Sequence, residues 1–319
     1  MVPCGRAITL LLCSLRFVAL AGLQSSGLTS EENNVYTLLQ SSLPSDVFAE
    51  LGWNDHSIAL ADLRAVRVHH VGDFFCGAGG ISTAAVSSNL RSIWMDVECD
   101  PSHDLTSTRG YVKWVRACLT ITRGGTAVFG FPCCTYCWLA MGHTGRSKTR
   151  PLGFQHRADV FAANIMFERL LVLLRVLSLR VVWWLVENPL RSLLWAQPPL
   201  ETLMRIVKIK TDKRRHRVGR FFTWLGAFGC AISKPVVFLG ICPGGRYLTR
   251  KLPARFKRLA QVATFGWVSW LQKQPDGSLK RRFMGRKKLR ESGVYPPELC
   301  ATMVRVARWQ QAHLAAGTL

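Results

Sequence analysis

Two hydrophobic rhythms alternate along this chain. One is the short, nearly continuous apolar run closed by Gly, Pro, Asp or Glu, at residues 69–75, 92–97, 126–131 and 181–186. Such runs suit strands buried on both faces. The other is the recurrence of apolar positions every three or four residues over 81–90, 111–119 and 158–177, which predicts helices. Upstream, Ser30 followed by Glu31 and Glu32 is a helix-start signal, and 31–65 read as helix and loop. Downstream, 223–228 and 235–239 read as strands, and Tyr295-Pro296-Pro297-Glu298 opens a terminal helix with Pro297 at a tolerated early position. Strands alternating with helices predict an α/β fold with a doubly wound, mostly parallel sheet.

Length and composition fit that pattern. The chain has 319 residues, 49% of them hydrophobic, enough for one large α/β domain or a core with a small appendage. The formal net charge is +23, from 42 Lys+Arg against 19 Asp+Glu. Residues 205–290 carry 23 Lys+Arg and only Asp212 and Asp276, a net +21. A surplus confined to one stretch points to an anionic partner, with nucleic acid the first candidate. A solvated basic tail is the alternative. The expected division is a targeting-like or disordered segment 1–30, a helical lead-in 31–65, a core domain 66–245, and a basic C-terminal region 246–319 with its terminal helix.

Eleven cysteines without scaffold spacing read mainly as free, reduced thiols, which favours an intracellular, nuclear or organellar compartment. Residues 1–30 hold Arg6 and Arg16 and no acid, and fit a secretory signal, an organelle transit segment or a wrongly assigned start. The apolar run 170–186 contains Arg175 and Arg180, so it reads as a helix end and a buried strand and no stable membrane span is expected.

The candidate chemistry begins where the first strand ends. Asp73-Phe74-Phe75-Cys76-Gly77-Ala78-Gly79-Gly80 is a strand end, a glycine-rich turn and a helix start. Gly77, Gly79 and Gly80 let backbone N–H groups approach a ligand closely. Asp73 is placed to meet the ammonium group of an amino-acid ligand. Asp96, 19 residues after Gly77 at the next strand's end, is placed to accept ribose hydroxyls. Ser82 stands where a dinucleotide fingerprint has its third glycine, which favours S-adenosylmethionine (SAM) over NAD. Asp104 reads equally as an acceptor for an adenine amino group or as a helix cap.

These residues resemble the DNA (cytosine-5) methyltransferases. The family's first motif, D-L-F-x-G-x-G-G, is similar to Asp73–Gly80, with Phe74 in place of Leu. Its Pro-Cys motif after a buried strand is matched by Pro132-Cys133, and its Glu-Asn motif after the next strand by Glu187-Asn188. The resemblance covers residues 66–245 and implies a Rossmann-like SAM-binding domain whose loop includes Asp73, Phe74, Phe75, Gly77, Gly79 and Gly80. It also implies a nucleophile at Cys133, a carboxylate at Glu187 that steadies the N3 side of a cytosine, an Asn188 that holds the loop around Cys133, and a base flipped from its duplex.

Several positions depart from the pattern. Phe131-Pro132-Cys133-Cys134 stands for Pro-Pro-Cys-Gln, and Glu187-Asn188-Pro189 for Glu-Asn-Val. The nearest match to a Gln-x-Arg-x-Arg strand is Arg215 and Arg217, inside a charge run. Two functions follow as expectations: a methyltransferase of this type acting on nucleic acid, or a catalytically inactive scaffold that binds nucleic acid through its basic stretch.

Other residues have competing readings. Cys134 and Cys137 form a CxxC with no second pair at zinc-site spacing. An inert buried thiol is the common alternative for Cys133. Glu187, directly after an apolar run, needs a partner or a function to offset desolvation. Arg146, Lys148 and Arg150, after Cys133, read as phosphate contacts or a solvated loop. Trp183 and Trp184 read as core. Trp267 and Trp270 read as packed helix residues or as base-stacking platforms.

Overall fold

In the computed structural model, the described residues are 28–211, 218–230, 234–251, 269–275, 277–283 and 294–318. Arg215, Arg217 and Trp267 lie outside them, as do residues 1–27 of the N-terminal segment and many residues of the basic stretch. Trp270 falls in a short strand rather than a helix.

Three short helices come first: α1 (Ser30–Ser42), α2 (Ser45–Glu50) and α3 (His56–Arg64). Thr29 caps α1, with Glu32 reaching back to the Thr29 N–H at 2.8 Å. The order then becomes β1 (His69–Phe74), α4 (Gly80–Val86), β2 (Ser92–Met95), α5 (Thr108–Leu119), β3 (Ile121–Gly130), α6 (Ala158–Leu179), β4 (Trp183–Pro189), α7 (Pro198–Thr211), β5 (Val218–Trp224) and β6 (Pro235–Ile241). A separate hairpin, β7 (Ser269–Lys273) with β8 (Leu279–Phe283), precedes the last helix, α8 (Pro297–Ala315).

The six-stranded sheet runs β2-β1-β3-β4-β6-β5. The first four strands are parallel, and β6 lies antiparallel between β4 and β5. This is a mixed α/β, Rossmann-like architecture. Side chains alternate between two packed faces, as a sheet covered on both sides requires. Phe74, Ala127, Phe129, Trp184 and Val186 join the core under α5 and α6. Val71, Val128 and Leu185 join the other core, with Ile81 and Ala85 of α4 and Leu299, Met303 and Val306 of α8. The terminal helix, which a boundary at residue 245 sets apart, thus packs on the same sheet. Trp183 and Trp184 are core residues, 2% and 0% exposed.

One strand is displaced from its expectation. Residues 225–228 are a 3-10 turn, and the strand before it is Val218–Trp224. The turn buries Leu225 and Phe228 and ends on Gly229 at a φ of 85°, so its apolar content comes from packing rather than from strand pairing. Among the described residues no helix is long and apolar enough to cross a membrane.

Candidate functional site

The parallel strands end in register. Met95 pairs with Phe74, Phe74 with Phe129, and Phe129 with Val186. One residue further along stand Asp96, Phe75, Gly130 and Glu187, at the carboxyl edge of four adjacent strands. Strands spaced about 4.8 Å apart make this row roughly 14 Å long. The chain leaves β1 for β2 on one side and returns to β3 on the other, so the topological switch point lies between β1 and β3. Ligands of doubly wound sheets bind outside the carboxyl ends at that point.

The glycine loop fills the β1 end of the row. Phe75 leaves the strand at a φ of 53°, uncommon for a bulky residue, while its N–H donates to Met95 O at 2.8 Å. Gly77 and Gly79 have φ of 50° and 65°, and a Cβ added at either meets nothing within 4 Å. Both therefore present bare backbone to open space, a cradle of the kind a ligand can fill. Gly80 serves packing instead, since a Cβ there meets Cys300 Sγ at 3.0 Å.

The two flanking acids are tied to this backbone. Asp96 Oδ2 accepts the Gly77 N–H at 2.8 Å, and its Oδ1 accepts the Glu98 N–H at 2.7 Å. Asp73, 2% exposed, accepts the Ser82 N–H at 2.9 Å. Burial pushes the Asp73 carboxyl up to about 6 from its ordinary 3.8, against the hydrogen bonds from Ser82. Phe74 is wholly buried, stacked on Phe129 at 4.7 Å and Trp114 at 5.3 Å, so its side chain supports the loop from within the core. Phe75 lies nearer the surface against Trp114 and Phe131. Asp104 closes a local turn, accepting from the Thr106 N–H at 2.8 Å and from its hydroxyl, while Ser107 caps α5.

The β3 and β4 ends bring the other predicted residues together. Asn188, 0% exposed, donates from Nδ2 to Phe131 O at 2.6 Å and so fastens the start of the segment that carries Cys133. Cys133 is half-buried, and its carbonyl accepts from the Tyr136 and Cys137 N–H groups. Burial pushes the Cys133 thiol up to about 11; Lys234 pulls it down and Glu187 pushes it further up. Glu187 thus acts on the thiol across the β3–β4 boundary. The Tyr295 hydroxyl donates to Glu187 Oε2 at 3.0 Å, while buried Oε1 has no hydrogen-bond partner among the described residues. A Cβ at Gly130 meets the Tyr295 hydroxyl at 3.2 Å and Phe75 O at 3.0 Å, so Tyr295 is wedged into the row itself.

Arg146 corrects an expectation. It is 1% exposed and reaches no solvent phosphate. Its guanidinium donates to Pro151 O at 2.6 Å and Asn164 Oδ1 at 2.8 Å, and lies 4.0 Å from the Tyr136 ring centre. It is an internal clamp for the loop after Cys133. Tyr295 and Lys234 are the neighbours of the candidate site that sequence reasoning did not single out. Tyr295 stands before two prolines, a signal for a helix start that says nothing of Glu187, 108 residues away. No protein-family model matches the chain, and no curated protein matches its sequence.

Proposed function

We propose that this chain is a SAM-dependent methyltransferase resembling the cytosine-5 class, acting on nucleic acid through Cys133. The observation that carries the reading is the shared register row, in which the glycine loop, Asp96 and Glu187 occupy one sheet edge at the switch point. Support comes also from Asn188, whose bond to Phe131 O matches the role that the resemblance implies.

The fit of a cofactor rests on the glycine cradle. The open space beside Gly77 and Gly79 would take the amino-acid end, Asp73 would attract its ammonium group, and Asp96 would accept ribose hydroxyls beside the Gly77 bond it already makes. SAM, when bound, supplies an electrophilic methyl group. The chain's own residues do the rest. Cys133 adds through Sγ to C6 of the cytosine, which moves electron density to C5, and it is eliminated again when the C5 proton is lost to solvent. The Glu187 carboxylate, with Oε1 free of donors among the described residues, holds the N3 side of the ring. Tyr295 keeps the other oxygen in place.

A thiol near 11 is ionised in about one molecule in ten thousand at pH 7. Cys133 therefore loses its proton in company with substrate rather than beforehand, with Lys234 favouring the thiolate. That high value is also what favours the second reading, an inactive scaffold that holds nucleic acid through its net +21 stretch. The two separate on one comparison. Methyl transfer from labelled SAM to cytosine-containing DNA or RNA is expected for the native chain and abolished in Cys133→Ala. No transfer, with binding that weakens steeply as salt rises, selects the scaffold.

A further inference from the structure

The glycine loop carries a thiol that the proposed chemistry does not use. Cys76 sits between Phe75 and Gly77, and Cys99 ends the turn that follows Asp96. Two contacts bring the two segments together, and a third closes the turn itself. The Gly77 N–H donates to Asp96 Oδ2 at 2.8 Å, the Cys99 Sγ donates to Gly77 O at 3.5 Å, and the Cys99 N–H donates to Asp96 O at 3.3 Å. Both are free thiols, and Cys99 Sγ lies 3.5 Å from the carbonyl oxygen of Gly77, the residue next to Cys76. Cys99 is exposed, whereas Cys76 is half-buried.

We propose that Cys76 and Cys99 are an oxidisable dithiol whose disulfide locks the glycine loop to the Asp96 turn. The oxidant is a peroxide. The Cys99 thiolate, the accessible partner, attacks the peroxide oxygen; the O–O bond breaks, giving a sulfenic acid and hydroxide. The Cys76 sulfur then attacks the sulfenic sulfur. An S–S bond forms, the S–O bond breaks, and hydroxide leaves to combine with the Cys76 proton as water. In sum two thiols and one hydrogen peroxide give one disulfide and two waters.

Burial, then the Asp73 and Asp96 charges, hold the Cys76 thiol well above the ordinary range. It is therefore the resolving partner, spared direct oxidation until Cys99 has reacted. The consequence for the loop is specific. Oxidation removes the S–H that Gly77 O accepts, and it fixes Gly77 against the acid expected to meet the ribose. Ligand binding at the loop is expected to fall. That part rests on the SAM reading, whereas the disulfide itself does not.

The test uses the full chain treated with hydrogen peroxide, alkylated and digested. A peptide joining Cys76 to Cys99, reversed by dithiothreitol and absent from Cys99→Ser, is the expected result. In Cys76→Ser, Cys99 should run on to the sulfinic acid. Cys76 remaining open to alkylation in oxidised native protein, or Cys99 joined to another cysteine, overturns the proposal. Titration with SAM then reads the consequence, with affinity lower by about tenfold in the oxidised form and restored on reduction. Equal affinity in both forms overturns the lock. No SAM binding by the reduced protein contradicts the methyltransferase reading, while the cross-linked peptide still decides the dithiol.

Discussion

Two loops leave neighbouring parallel strands at the same sheet edge and are held in opposite ways. The glycine loop after β1 is held by carboxylates, Asp96 and Asp73, which accept backbone N–H groups at Gly77 and Ser82. The loop after β3 is held by a cation, Arg146, which donates to the carbonyl of Pro151 and to Asn164. The first loop leaves its glycine backbone open, whereas the second turns its charged clamp inward. A charge near a site is thus no guide to what touches ligand. In both loops the ionised side chain organises backbone, and open space lies beside Gly77 and Gly79.

The largest effect that would break this contrast is at the cationic clamp. Arg146→Met removes a buried guanidinium and strands the groups it satisfies. Stability should fall by about 3–5 kcal/mol in urea denaturation. A loss under about 1 kcal/mol would mean that the loop after Cys133 is held by something else.

At the anionic clamp the sign reverses. The folded-state value of Asp73 near 6 lies above the ordinary 3.8, so between these pH values the folded chain binds the proton more tightly than the unfolded one. Stability from this group is present below about pH 4 and is lost as pH rises through 6, up to about 3 kcal/mol. Asp73→Asn should raise the melting temperature at pH 8 and leave it unchanged at pH 3.5, while weakening SAM binding. An equal shift at both pH values would contradict the burial account.

Smaller effects test the Glu187 end of the row. Tyr295→Phe deletes the hydroxyl that donates to Glu187 Oε2 and should cost about 1–2 kcal/mol. It should also lower turnover with little change in cofactor affinity, which a purely structural role would not separate. Lys234→Ala should be the mildest. Its charge favours the Cys133 thiolate, so alkylation of Cys133 at pH 8 should slow about two- to fivefold. An unchanged rate would remove Lys234 from the site.

Much of the sheet is legible in the sequence because strands covered on both faces leave unbroken apolar runs. The strand at 69–75 and the one at 181–186 stand out for that reason. β3 begins at Ile121, five residues before its run, because Gly124 and Gly125 interrupt the pattern. Gly124 holds a φ of 73°, and a Cβ there meets Leu314 of α8 at 2.5 Å, a contact no local window contains. β5 starts on Val218-Gly219-Arg220, too polar to read as a buried strand. In the site, the glycines, Cys133, Glu187 and Asn188 are legible because each follows a buried apolar run. Arg146 is not, because its burial depends on carbonyls and an amide from residues 151, 160 and 164. Tyr295 is not, because it reaches the row from the opposite end of the chain.

The most direct test of the central claim is covalent trapping. With fluorine in place of hydrogen at C5 of the target cytosine, the final elimination is blocked and the enzyme–base bond persists. Incubating the full chain with SAM and 5-fluorocytosine-containing DNA or RNA should give a denaturation-resistant adduct. Peptide mapping should place it on Cys133, and Cys133→Ala should give none. An adduct on another residue, or methylation of unmodified cytosine by Cys133→Ala, would contradict the account.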